Sequence, residues 1–194
     1  GLWRNPMAWA VTGYMGLQSL SFYAAAAWLP TLLATAGLSK AAAGGMLALS
    51  SLVSIAGAFI APTLAGRGVR PGLLVVVGTV SSAAGFVGVL VSPASGAYVW
   101  MSLLGIGTGM AISLALLFIV QRAPDIRHAA QLSSMAQCFG YILAGIGPFV
   151  LGAVHDATGG WTIPLLLMIA LLVPQATAGI IAAKDRHVTS TPTP

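Results

Sequence analysis

Long runs of apolar residues alternate with short polar connections along the whole chain. None of these runs contains a Lys, Arg, Asp or Glu, and each has about 20 residues or more. A helix of that length crosses the roughly 30 Å hydrocarbon layer of a bilayer, because it rises about 1.5 Å per residue. The pattern predicts membrane-spanning helices at approximately 7–29, 41–65, 72–91, 98–120, 131–154 and 161–183.

The composition agrees with a protein whose outer surface faces lipid. Hydrophobic residues make up 58% of the 194 residues and charged residues only 6%, and the chain contains no Glu. A soluble globular domain carries about 25% charged residues. Only helices and closed barrels satisfy their backbone in lipid, and these runs lack the strict alternation of barrel strands. The sequence therefore predicts an all-α polytopic membrane protein with six transmembrane helices.

The basic residues indicate how the chain is oriented. An even number of crossings places both ends on one side of the membrane, and only Lys40 then falls on the other side. This positive-inside bias predicts a multi-pass protein of the cell membrane with both ends in the cytoplasm. The net charge of +5 is thereby explained as a signal that orients the chain in the lipid bilayer, and no nucleic-acid partner is expected. The basic residues on the predicted cytoplasmic side are Arg4, Arg67, Arg70, Arg122, Arg127, Lys184 and Arg186.

Turn-forming residues separate the apolar runs. Pro30 follows the first run, and glycines, prolines and serines occupy the later connections, including residues 92–96 and 156–160. Residues 1–187 are expected to form one transmembrane domain. The Thr/Pro-rich residues 188–194 are expected to form a disordered cytoplasmic tail. Because residue 1 is a glycine, the chain is expected to be an internal piece of a longer protein or a processed form.

Two of the runs share a local pattern. A Leu-Ser-Ser triplet opens a polar stripe at residues 49–51 and again at residues 132–134, and a glycine, Gly57 or Gly140, follows each leucine by eight residues. The second and fifth runs cross the membrane in opposite directions. Matching features in helices of opposite direction are expected of a 3+3 inverted repeat.

Residues 15–23, residues 27–30 and a stretch from residue 132 to Trp161 carry a family resemblance. The stretch from residue 132 to Trp161 reads LSSMAQ, then Gly140-Tyr141, Gly147-Pro148 and HDATGGW. Together they resemble the C-terminal half of the cyanate/2-nitroimidazole transporter branch of the major facilitator superfamily. The resemblance implies half of a twelve-helix carrier, whose N-terminal six-helix half is absent from this chain, and a small-molecule substrate between the halves. Gly66 stands where the superfamily's cytoplasmic loop motif has an acid, which weakens the expected charge latch.

Polar side chains at mid-helix depth are the candidates for binding a substrate. Gln18 shares one helical face with Tyr14 and Ser21, and Tyr23 lies on a neighbouring face. An alternative role for such residues is hydrogen bonding between helices. Amide and phenol groups offer the mixed donors and acceptors that a small polar solute requires. The predicted substrate-binding residues are Tyr14, Gln18, Ser21, Tyr23, Ser113, Gln137 and Tyr141.

The sequence offers little support for an enzyme. Gly105-x-Gly107-x-Gly109 lies inside an apolar run without the strand that a dinucleotide site needs, so it indicates close helix packing or a flexible pivot. An intramembrane serine protease would need a Gly-x-Ser-Gly nucleophile and a histidine inside a span, and the chain has neither. The histidines and the single Cys138 lack metal-ligand spacing, so neither a metal nor another cofactor is predicted.

These observations predict part of a secondary transporter that moves a small polar or anionic solute by alternating access. The resemblance implies a cyanate-like or nitroimidazole-like solute. The alternative is a self-contained six-helix membrane protein that acts as a homo-oligomeric channel or as a scaffold. None of the apolar runs contains a carboxylate, so the sequence leaves the coupling ion open. It leaves the transport direction and the oligomeric state open as well.

Overall fold

In the computed structural model, which describes residues 1–188, the chain folds into six α-helices. A short 3-10 helix, Leu2–Arg4, precedes them. The connections between successive helices are short, so neighbours in sequence run antiparallel. The helices are α1 (Pro6–Thr35), α2 (Lys40–Gly66), α3 (Pro71–Val91), α4 (Ala97–Arg122), α5 (Ile126–Thr158) and α6 (Thr162–Ala182).

Local sequence signals set the helix ends. The Asn5 side chain accepts hydrogen bonds from the backbone N–H groups of Met7 and Ala8, at 2.8 and 3.3 Å, and so caps α1. Ser39 caps α2 in the same way. Asp125 caps α5, and Gly159 ends that helix with a left-handed φ of 73°. The caps satisfy backbone groups that the helix itself leaves unpaired.

The prediction that Pro30 marks the end of the first helix is wrong. α1 continues through Pro30 to Thr35, and prolines also lie inside α2, α5 and α6. A proline removes one backbone hydrogen bond, but neighbouring helices can re-satisfy the freed group in a membrane bundle. The indole N–H of Trp28 on α1 donates to the carbonyl oxygen of Pro148 on α5 at 2.7 Å and so links the two helices beside one of these prolines.

The helices differ in how apolar they are. Among the described residues, α2 to α6 are long and apolar enough to cross a membrane by length and composition. α1 has 30 residues and is also long enough. Its middle carries polar residues, of which Gln18, Ser19 and Ser21 are buried within the bundle. The apolar surface of α1 is thus interrupted at mid-depth by polar groups that the other helices enclose.

Two hydrophobic cores stack along the bundle axis. One includes Val11, Phe118 and Leu132, and lies at the end that carries Gly1 and the end of α6, here called the terminal face. The other includes Leu33, Phe86 and Met101 and lies at the other end, here called the opposite face. On α1 the first core extends to Met15 and the second begins at Ala24, so the residues between them occupy mid-depth.

The helix contacts have the symmetry of an inverted repeat. α2 packs most extensively against α4, and α1 against α5. Exchanging α1, α2 and α3 with α4, α5 and α6 converts one of these pairs into the other, and the exchanged helices run in opposite directions. The arrangement is the predicted 3+3 inverted repeat of an all-α membrane protein, and the fold-class prediction is confirmed.

Glycines allow the tight pairs to touch backbone to backbone. A Cβ atom on Gly57 would lie 2.5 Å from the carbonyl oxygen of Ile106, and one on Gly105 would lie 2.5 Å from that of Ser50. A Cβ on Gly109 would overlap the carbonyl oxygen of Ser54. These contacts, here called the α2–α4 glycine seam, confirm the predicted packing role of the glycine repeat in α4.

The chain beyond α6 folds back on the end of α4. The Val188 N–H donates to the carbonyl oxygen of Arg122 at 2.7 Å, and the Val188 side chain is buried in the core near the terminal face. The buried Arg122 guanidinium forms a 3.2 Å ion pair with Asp185. Val188 is the first residue of the predicted disordered tail, and the other residues of that tail lie outside the described part of the chain.

Candidate functional site

A cavity of about 280 Å³ opens between the two cores at mid-depth. α1 supplies half of its wall, and α2, α4 and α5 supply the rest. Every side chain that lines it within residues 1–188 is uncharged, so it presents hydrogen-bonding and aromatic groups without a fixed ion. The lining residues are Met15, Gln18, Ser19, Phe22, Tyr23, Ser54, Thr108, Gly109, Ile112 and Tyr141.

Gln18 is the most buried polar lining residue besides Ser19, and both are 4% exposed. The Gln18 Nε2 donates to the hydroxyl oxygen of Ser19 at 2.9 Å and to the sulfur of Met15 at 3.3 Å. All of these groups belong to α1, so the amide is held in place by its own helix and does not link two helices. With both of its N–H groups engaged in this way, the amide can present its carbonyl oxygen to a solute as an acceptor.

Two exposed tyrosines from different helices line the cavity. Tyr23 on α1 is 46% exposed and Tyr141 on α5 is 55% exposed. The Tyr23 ring meets the Phe22 ring edge to face, with centroids 5.2 Å apart. Phenol groups in such positions combine an apolar surface with a hydrogen-bonding hydroxyl. Gln18, Tyr23 and Tyr141 are therefore the three predicted substrate-binding residues that the structure brings together.

Tyr14 and Ser21 lie inside the bundle, away from this cavity. Tyr14 is 1% exposed, and its ring packs against Phe118 with centroids 5.8 Å apart. Ser21 is equally enclosed, and its hydroxyl has no hydrogen-bond partner within residues 1–188. Both face the interior because α1 is surrounded by α2, α4, α5 and α6. Their role in substrate binding stays a prediction.

Ser113 and Gln137 form hydrogen bonds within their own helices. The Ser113 hydroxyl donates to the carbonyl oxygen of Met110 at 3.1 Å. The Gln137 Nε2 donates to the Ser133 hydroxyl at 2.7 Å. Neither residue lines the central cavity. Their predicted contact with substrate stays a prediction.

The sequence prediction missed several lining residues, above all Thr108, Ser54 and Phe22. The signal that could have found Phe22 is the helical spacing of Met15, Gln18, Ser19, Phe22 and Tyr23, which recur at intervals of three and four residues. This face runs between the two polar faces that the sequence suggested. The Thr108 hydroxyl donates to the carbonyl oxygens of Leu104 and Gly105, at 2.9 and 3.1 Å, which leaves its oxygen lone pairs available to the cavity.

Charged groups are placed at the ends of the helices. On the terminal face, the backbone N–H and the ring of His128 hydrogen-bond to Asp125 and hold the pKa of its carboxyl below its usual value. On the opposite face, the His155 ring stacks on Trp161 with centroids 3.9 Å apart. These groups define the two ends of the bundle and lie away from the central cavity.

Comparison with known families accounts for this architecture. The family model described as Major Facilitator Superfamily matches residues 1–148. The chain belongs to the major facilitator superfamily.

Three curated proteins show where in the superfamily the chain lies. It is 40% identical over 191 residues to the uncharacterized transporter YycB of Bacillus subtilis (strain 168), covering 96% of this chain and 47% of that protein. It is 37% identical over 188 residues to the 2-nitroimidazole transporter of Escherichia coli (strain K12), covering 97% and 48%. It is 30% identical over 173 residues to the cyanate transport protein CynX of the same organism, covering 87% and 45%. The predicted resemblance to the cyanate/2-nitroimidazole branch is confirmed.

A solved structure supports the fold. The chain superposes on a crystal structure of the peptide transporter POT in complex with alafosfalin with a TM-score of 0.77, at 17% identity. The match covers 91% of this chain and 38% of the transporter. The chain also spans about half the length of the curated relatives it matches. The fold is accordingly that of half of a major facilitator protein.

Proposed function

We propose that this chain is half of a secondary transporter that moves a small polar or anionic solute by alternating access. The observation that carries the proposal is the uncharged, hydrogen-bonding cavity at mid-depth, walled by α1, α2, α4 and α5. An N-terminal six-helix half, absent from this chain, would close the cavity from the other side. Rocking of the two halves would then expose the solute to one side of the membrane at a time.

The cavity chemistry suits a solute of cyanate-like or nitroimidazole-like character. The phenols of Tyr23 and Tyr141 can donate hydrogen bonds to nitro, ring-nitrogen or cyanate acceptors, and the Gln18 carbonyl oxygen can accept one from a ring N–H group. Phe22 and the tyrosine rings offer flat apolar surface for a heterocycle. The two curated relatives with named substrates support this solute class, since one is named for 2-nitroimidazole and the other for cyanate.

The proposed transporter lies in the cell membrane with the terminal face in the cytoplasm. Arg4, Arg122, Arg127, Lys184 and Arg186 lie at or near the helix ends on that face, whereas Lys40 lies at the start of α2 on the opposite face. This distribution follows the positive-inside bias. Residues 1–187 would form the six-helix transmembrane domain of this half.

Replacing Gln18 by leucine tests the cavity assignment. A hydrogen bond contributes about 0.5–1.5 kcal/mol, and 1.4 kcal/mol corresponds to a factor of ten. We therefore expect Gln18→Leu in the intact protein to reduce transport about two- to tenfold, with the same amount of protein in the membrane. Uptake or efflux of labelled 2-nitroimidazole and of labelled cyanate by membrane vesicles measures the effect.

Gln131→Leu is the matched control, because Gln131 is exposed on α5 outside the central cavity. We expect this variant to transport at the level of the unmodified protein. Unchanged transport of both solutes by Gln18→Leu at normal protein amount would contradict the assignment of Gln18. A flux that rises linearly with solute and never saturates would instead favour the homo-oligomeric channel.

A further inference from the structure

A narrow cleft of about 20 Å³ continues from the central cavity toward the opposite face. The cleft runs between α1, α2 and α4, and its walls include Ala25, Leu29, Leu47, Ser50 and Met101. Leu29 and Met101 belong to the core near the opposite face, which gives the direction of the cleft. Phe22 and Thr108 line both spaces and therefore stand where the cavity narrows into the cleft.

The α2–α4 side of this constriction is fixed. Gly105 and Gly109 bring the backbone of α4 against the carbonyl oxygens of Ser50 and Ser54, with no side chain between the helices. The Thr108 hydroxyl is tied to carbonyl oxygens of its own helix. A wall made of backbone contacts cannot widen through a change of side-chain rotamer.

The α1 side of the constriction is a side chain that can move. Phe22 is 39% exposed, and its ring packs edge to face against its neighbour Tyr23 on the same helix. Rotation about the side-chain bonds of an exposed residue occurs within nanoseconds. Phe22 therefore faces a rigid wall with a ring that can change position without moving a helix.

We infer that Phe22 is the gate between the central cavity and the opposite side of the membrane. This inference rests on the proposed transport function and adds the residue that controls access from one side. With the ring against Thr108, the cavity is separated from the cleft. With the ring turned away, the two spaces join into one path along α1 and α2.

Cysteine accessibility in the intact protein tests the gate without requiring a substrate. Cys138 and any cysteine in the rest of the protein are replaced by serine, and Ser54→Cys places a reporter in the cavity. A membrane-impermeant methanethiosulfonate reagent is added from the opposite-face side of sealed vesicles. We expect Phe22→Ala to raise the Ser54→Cys labelling rate at least tenfold, and Phe22→Leu to raise it less.

Two controls make the result specific. Ser50→Cys reports from the cleft beyond the gate, and its labelling rate is expected to be the same with and without Phe22→Ala. Phe149→Ala removes an equal ring that is 82% exposed on α5, and it should leave both reporters unchanged. Equal labelling of Ser54→Cys with Phe22 and with alanine overturns the gate, as does an equal rise at both reporters. Transport in the Gln18 experiment is measured separately, so either proposal can fail alone.

Discussion

Replacing Tyr14 by alanine is expected to lower the free energy of unfolding by about 3–5 kcal/mol, the range found when large buried rings are truncated. Tyr14 is almost completely enclosed, with its ring against Phe118 and against the space that Gly179 leaves open. Truncation would leave a cavity between α1, α4 and α6 that the surrounding helices can fill only in part. Unfolding in mixtures of SDS and a mild detergent, followed by tryptophan fluorescence, measures the change.

Tyr14→Phe separates the packing role of this residue from the predicted role in substrate binding. It keeps the ring, so the free energy of unfolding should change by no more than about 1.5 kcal/mol. Transport of 2-nitroimidazole or cyanate should then remain near that of the unmodified protein. Loss of transport by a stably folded Tyr14→Phe variant would show that the hydroxyl serves the substrate after all.

Replacing Gly109 by alanine is expected to destabilise the bundle by about 1–3 kcal/mol, as overpacking of a tight contact does. The added methyl group would overlap the backbone oxygen of Ser54 in the α2–α4 glycine seam. That oxygen cannot rotate away, so α2 and α4 would have to separate. The helix propensity of alanine opposes this loss by at most about 1 kcal/mol, so the net effect should remain destabilising.

Gly145→Ala provides the comparison for Gly109→Ala. Gly145 lies within α5, and a Cβ there would meet no other atom within 4 Å. Its alanine variant should unfold at the same denaturant concentration or a slightly higher one. If both alanine variants proved equally stable, the backbone contact at Gly109 would not limit how closely α2 and α4 approach.

The helices were predictable because the sequence excludes charge from every apolar run. A charged side chain in lipid is costly, so Arg122 and Asp125 mark the boundary between α4 and α5 in sequence as they do in the structure. The effect of Pro30 was not predictable from local turn chemistry. Whether a proline ends a helix depends on which neighbour satisfies the freed backbone, and that is a property of the assembled bundle.

The candidate site could be predicted only in part. Gln18 and Tyr23 were predicted because polar groups at mid-depth in a bilayer are costly and therefore indicate a functional role. Tyr14 looks the same in sequence, yet it is enclosed while Tyr23 is open to the cavity. Helical spacing gives the relative faces of these residues. It does not give which face meets α6 and which meets a cavity, since that depends on how the helices are rotated against one another.

The pairing of helices across the two repeats has a consequence for the order of folding. α1 packs most tightly on α5, and α2 on α4, so each three-helix repeat finds its close partners in the other repeat. During synthesis, α2, α3 and α4 are all made before α5, the main packing partner of α1, begins at Ile126. Through that interval α1, which carries polar residues at mid-depth, lies in the bilayer without the neighbour that covers it. Assembly of the bundle therefore ends late, with long-range contacts rather than with hairpins of adjacent helices.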